Sequence, residues 1–139
     1  MQCFHFYRKE EKMHAIFQAI APRYNCLNRM ISFFHDQYWR RKAVEQANFP
    51  PQAKLLDVCC GTGRLTQELL RHCDAEGRLT GLDFSANMLR EAEGNLRYHP
   101  RFNQVSWVHG NVLHPPFDDA SFDGVSIAFG LYSIAGMEQ

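Results

Sequence analysis

The chain has no net charge. Fifteen basic residues balance fifteen acidic ones, so it projects no field that would gather nucleic acid or an anionic membrane. No apolar run is long enough to span a bilayer. Residues 1–14 alternate basic, acidic and aromatic side chains and lack the apolar stretch of a secretory signal. The five cysteines (Cys3, Cys26, Cys59, Cys60 and Cys73) form no CxxC pair and no zinc spacing, and the seven histidines show no metal spacing either. No metal is expected, and the thiols read as the reduced cysteines of a cytoplasmic protein. Low-complexity tracts and internal repeats are also missing. What remains is 139 residues, 45% hydrophobic, enough for one domain with its own core.

Residues 1–50 read as an aromatic-rich helical arm. Residues 13–20 place Ile16, Phe17 and Ile20 on one helix face. A second helical stretch runs through Leu27, Met30, Ile31 and Phe34, and a third through Trp39, Ala43, Val44 and Ala47, stopped by Pro50-Pro51. From residue 51 to 139 the pattern alternates. Residues 55–59 read as a strand buried on both faces, and residues 64–73 as a helix burying Leu65, Leu69 and Leu70. Residues 79–83 form the next strand, and Ser85 N-caps a helix with Leu89, Ala92 and Leu96 inward. Residues 105–109 and 124–129 supply two further strands. Strands alternating with helices imply an α/β fold, a parallel sheet with right-handed crossovers and helices on both faces.

Asp57-Val58-Cys59-Cys60-Gly61-Thr62-Gly63 leaves the first strand, and Asp83 ends the second, twenty positions past Gly63. A glycine loop between strand and helix, followed by a carboxylate at the next strand's end, is half of a nucleotide-binding crevice. By itself the loop is also what any tight strand-to-helix turn looks like. Asp57 adds to it, because a buried aspartate needs a partner, either the loop backbone or a ligand ammonium. Gly110-Asn111 ends the third strand at the same edge, where an amide could read a base. The loop carries Thr66 where a dinucleotide fingerprint has its third glycine. A pyrophosphate cradle is therefore lacking, and the expected ligand is S-adenosylmethionine, which is cationic and has no phosphate. An NAD-dependent oxidoreductase is the disfavoured alternative.

Longer stretches resemble one family. Tyr24-Asn25-Cys26-Leu27-Asn28-Arg29-Met30-Ile31-Ser32, with Trp39 seven positions on, is similar to the N-terminal signature of the menaquinone/ubiquinone-biosynthesis C-methyltransferases, the UbiE family. The similarity continues through 56–63, through Leu82-Asp83-Phe84-Ser85-Ala86-Asn87-Met88-Leu89, through 110–117 and through 122–131, and covers roughly residues 13 to 135. The resemblance implies a Rossmann-like class I methyltransferase fold behind a helical arm, and C-methylation of a prenylated quinol. It also implies that Gly61 and Thr62 line the methionine and ribose part of the cofactor, with Gly63 in the same loop. Asp83 would hold the ribose hydroxyls, Phe84 and Met88 would lie against the adenine, and Asn111 and Val112 would sit at its edge. Ala128 would border the pocket, and Tyr24 and Asn28 would face the substrate.

The chain departs from the family pattern at Asn25, Leu27, Asp36, Ala128 and Tyr132-Ser133. These departures fall mostly on the substrate side, so no catalytic base is assigned. Four strands are expected where such a sheet has seven. The reading is therefore of a fragment truncated after the fourth strand, favoured over completion by a dimer or another chain. On this reading the chain alone binds cofactor without turning over quinol, and self-associates through residues 124–129. Peripheral membrane contact would follow from a lipid substrate. A non-catalytic nucleoside-binding remnant is the alternative outside the enzymes.

Overall fold

The computed structural model describes residues 35–128. The helices expected over residues 13–20 and 27–34, the residues Tyr24 and Asn28, and Phe129 with everything after it lie outside the described residues. Within them the order is helix α1 (Asp36–Ala47), strand β1 (Lys54–Val58), α2 (Arg64–His72), β2 (Arg78–Asp83), α3 (Ala86–Leu96), a 3-10 turn (Phe102–Gln104), β3 (Val105–His109) and β4 (Gly124–Ile127).

The four strands are parallel, in the order β3-β2-β1-β4. Successive right-handed crossovers carry the chain from β1 through α2 to β2, and through α3 to β3, always in one direction. They leave the helices on one face. There Leu55 and Leu79 of the sheet meet Val44 of α1, Leu65, Leu69 and Leu70 of α2, and Leu96 of α3. On the other face Leu56, Val58 and Leu82 are covered by Val108, Val112, Phe117, Phe122 and Ile127. The return to β4 runs over this second face as residues 110–123, where Pro115-Pro116 excludes a helix. The expectation of helices on both faces thus narrows, for the described residues, to helices on one face and a loop on the other. No described helix is long and apolar enough to cross a membrane.

Local chemistry fixes the element ends. Ser85 caps α3, its Oγ accepting the Met88 N–H at 3.3 Å. Asn48 closes α1 in the left-handed conformation, φ 46°, its N–H returning to the Val44 carbonyl. Of the four residues expected to mark that helix, only Val44 is buried. Trp39 is 62% exposed, and Arg40, paired with Asp36 at 2.6 Å, takes the inward place beside Val44. β4 ends at Ile127, and Ala128, expected in the strand, lies past its end. Val125 on it is 59% exposed at the sheet edge.

Leu70, fully buried at 0% exposure, should cost about 2–5 kcal/mol when cut to Ala, through lost burial and the cavity left behind. Val125→Thr should stay within about 0.5 kcal/mol. Urea denaturation of the two variants checks the assignment of faces, and comparable losses would contradict it.

Candidate functional site

β2 and β3 are added on one side of β1 and β4 on the other, so the strand order reverses between β1 and β4. In open α/β sheets the crevice at the carboxyl ends beside such a reversal is where ligands bind. Asp57 and Ser126 are register partners across that pair. Asp57 is 1% exposed. Its Oδ2 accepts the Thr66 hydroxyl at 2.6 Å, and its Oδ1 accepts the Ser126 hydroxyl at 3.1 Å. Burial raises its pKa from the ordinary carboxylate value to about 6. The two hydroxyls oppose that rise, and the charge of Asp83 adds to it. The partner anticipated for Asp57 was loop backbone or a ligand ammonium. Among the described residues its hydrogen bonds go to side chains on α2 and β4 and not to loop backbone, and they tie three elements to one carboxylate.

Asp83, 5% exposed, ends β2. Its Oδ2 accepts the Gly61 N–H at 2.8 Å and its Oδ1 the Ser85 N–H at 2.9 Å. Burial pushes its pKa up, and the backbone donors and the charge of His109 pull against that. One carboxylate thus fixes the loop after β1 and the loop after β2. The Phe84 N–H also bonds this carboxylate, so three of its roughly four lone-pair sites are taken and one is left for a ligand hydroxyl.

The β1–α2 loop is held from within. The Cys60 N–H donates to the Leu82 carbonyl at 3.1 Å and the Gly63 N–H to the Cys60 carbonyl at 3.0 Å. The Asn95 amide of α3 donates to the Thr62 carbonyl at 3.1 Å. Left-handed backbone recurs at Cys59 (φ 53°), Gly61 (φ 54°) and Gly63 (φ 77°). At Cys59 a side chain occupies a conformation that costs an L-residue about 1–2 kcal/mol. A Cβ built on Gly61 would meet nothing within 4 Å, so the backbone there borders open space that a ligand can enter. Thr62 is buried. Burial raises the Cys59 thiol to about 11 and that of Cys60 well above its ordinary value, so neither is a thiolate nucleophile near neutral pH.

The remaining anticipated residues divide. Phe84 is half-buried at the mouth, its carbonyl accepting from His109 Nε2 at 2.8 Å. Asn111 is exposed at the end of β3, with its Oδ1 turned back onto the Leu113 N–H at 2.9 Å. Met88, 2% exposed, lies in the interior behind the loops. Val112 packs into the second-face core and Ala128 against the first-face core. Thr66, Ser126, Asn95 and His109 were missed by sequence reasoning. In the sequence Thr66 stands out only as the residue in the third-glycine position. Ser126, a lone hydroxyl in an apolar strand, was the available signal for a buried polar partner. A separate groove of about 570 Å³ lies on the second face, lined by Lys54, Thr80, Ser106 and Phe117 among others, and takes in none of residues 57–63.

A profile of the ubiE/COQ5 methyltransferase family matches residues 6–139. A demethylmenaquinone methyltransferase of Bacillus subtilis (strain 168) is 40% identical over 126 residues, 91% of this chain and 54% of that protein. One of Desulfitobacterium hafniense (strain Y51) is 39% identical over 123 residues, 88% of this chain and 49% of that one. The chain spans about half the length of the curated relatives it matches. Among solved structures, a SAM dependent methyltransferase from Aquifex aeolicus superposes with TM-score 0.62 at 18% identity, covering 69% of this chain and 50% of that one. The [4+2]-cyclase SpnF superposes with TM-score 0.57 at 24% identity, covering 64% and 32%. At these identities the superpositions speak for the fold alone.

The raised pKa of Asp57 has a definite sign. The folded chain holds this proton to higher pH than the unfolded chain does. The stability contributed by Asp57 is therefore full below about pH 4 and is lost as pH rises through about 6. Asp57→Asn keeps the shape and should remove that loss. The stability difference between the two proteins should change by about 2–3 kcal/mol between pH 4 and 6.5. Urea titrations across that range test it, and parallel curves would refute it.

Proposed function

This chain belongs to the ubiE/COQ5 methyltransferase family, and from that premise we propose that it carries the S-adenosylmethionine site of a C-methyltransferase acting on a demethylated, prenylated quinol. The observation that supports the ligand most directly is the pair of buried carboxylates, Asp57 and Asp83, at one sheet edge. Burial lifts the pKa of both, and the charge of Asp83 lifts that of Asp57 further. Such a site favours a ligand with positive charge and disfavours a pyrophosphate. Thr66 at the third-glycine position agrees with this, because its hydroxyl is spent on Asp57 inside the fold.

The residues fit the cofactor. Open space borders Gly61, Asp83 retains acceptor capacity for a ribose hydroxyl, and Phe84 offers a half-buried ring. Gly61, Thr62 and Gly63 line the methionine and ribose part, and Asn111 keeps its amide N–H groups for the base edge. Met88, Val112 and Ala128 support the pocket from behind. When bound, S-adenosylmethionine supplies a methyl group already activated on a sulfonium. The protein's tasks are to orient that group in line with the acceptor carbon and to exclude water. The acceptor's phenol must lose its proton for the ring carbon to attack. Residues 1–50 serve as an arm over a cofactor-binding unit of residues 51–139, with Tyr24 and Asn28 on the substrate side. A prenylated acceptor implies contact with a membrane surface, and the apolar edge of β4, where Val125 is exposed, implies association with another copy or strand.

Calorimetric titration should show adenosylhomocysteine binding and no NAD binding. NAD binding without an adenosylhomocysteine signal would overturn the proposal. Asp83→Ala should weaken adenosylhomocysteine binding by about 1–3 kcal/mol, since it removes both the ribose acceptor and the Gly61 anchor. A folded variant with unchanged Kd would remove Asp83 from the site.

A further inference from the structure

β3 contributes no residue to the β1–α2 loop, yet one of its side chains lies beneath it. Trp107 is the register partner of Gly81 on β2. A Cβ built on Gly81 would stand 2.7 Å from both Cε3 and Cζ3 of the indole and 3.1 Å from Cys60 Sγ. The indole therefore crosses β2 where β2 has no side chain. Its far end reaches the loop, where a Cβ on Gly63 would lie 3.2 Å from Cη2, 3.1 Å from Ala92 Cβ and 3.2 Å from Leu96 Cδ1. The indole N–H has no hydrogen-bond partner among the described residues, so packing alone fixes the ring. Gly63 in turn donates to the Cys60 carbonyl, and a shift at Gly63 carries through Thr62 to Gly61.

We propose that Trp107 is a positioning residue for the cofactor loop, a wedge whose ring sets the height of Gly63, and that residue 81 is glycine to admit that ring. This rests on the reading of residues 57–63 as the cofactor loop. Closely packed interiors pass on such displacements instead of absorbing them. Gly81 has an ordinary strand conformation, so replacing it with Ala adds only the collision with Trp107 and Cys60 and no backbone strain.

The test is a double-mutant cycle of Gly81→Ala and Trp107→Leu, titrated with adenosylhomocysteine. Gly81→Ala alone should raise Kd about tenfold by overpacking, whereas in the Trp107→Leu background it should cost little. Equal costs in the two backgrounds, or none in the parent chain, would overturn the proposal. A merely structural role would lower the thermal midpoint while leaving the Kd of the folded protein in place. Amide resonances of Gly61, Thr62 and Gly63 give a ligand-free readout. They should move in Trp107→Leu and in the milder Trp107→Phe, and unmoved resonances would sink the idea even if Gly81→Ala fails to fold. If the parent chain binds no adenosylhomocysteine, the ligand reading fails by itself and the resonances still decide the wedge.

Discussion

A carboxylate inside a sheet is tolerated only where something compensates its lost hydration. Asp57 meets that condition with two hydroxyls, one from the helix that follows it and one from the strand beside it. Much of the architecture can be read outward from this constraint. α2 must present Thr66 inward, which sets the rotation of the helix and so which leucines reach the core. β4 must pair with β1 in the register that puts Ser126 beside Asp57. A slip by one residue would offer Val125 or Ile127 to a charge and turn the hydroxyl to the opposite face. The compensation is partial, since hydroxyls are weaker partners than a cation, and a pKa of about 6 records the deficit.

Asp83 resolves the same difficulty differently, with backbone amides as donors. The two strategies divide the work. Asp57 joins elements inside the fold, and Asp83 joins the loops that follow β1 and β2. Together they concentrate negative charge where the sheet opens. This is favourable for a sulfonium and an ammonium and costly without them. The superposition on a [4+2]-cyclase shows how little of this chemistry the fold itself dictates.

The alternation of apolar runs and glycine-rich turns made β1, α2, β2, α3 and β3 legible to within a residue or two, because each buries a continuous stripe whose period survives in the sequence. Ser85 was legible as a cap for the same local reason. α1 was read by its apolar residues, but Arg40 and Val44 face inward while Trp39 faces out. Lone apolar residues on a mostly polar helix carry little period. In the site, Asp57, Gly61 and Asp83 were visible through their spacing. Thr66 and Ser126 on Asp57, Asn95 on the Thr62 carbonyl and His109 on the Phe84 carbonyl come from four different elements that only the fold brings together. The left-handed backbone at Cys59 was hidden because glycine, the usual sign of it, is absent there.

The hydroxyl of Ser126 and the carboxylate it bonds are 69 residues apart in the chain, whereas Thr66 is only 9 away from that carboxylate. β1, α2, β2, α3 and β3 assemble through neighbours in sequence. The β1–β4 ladder instead closes a long loop, whose entropy must be met before any of its contacts repay it. During synthesis the helix side of the sheet can form while Asp57 still has one oxygen turned to water. Among the described elements the crevice at the β1–β4 reversal is therefore the last to be completed, and its completion depends on the order in which the ribosome delivers the strands.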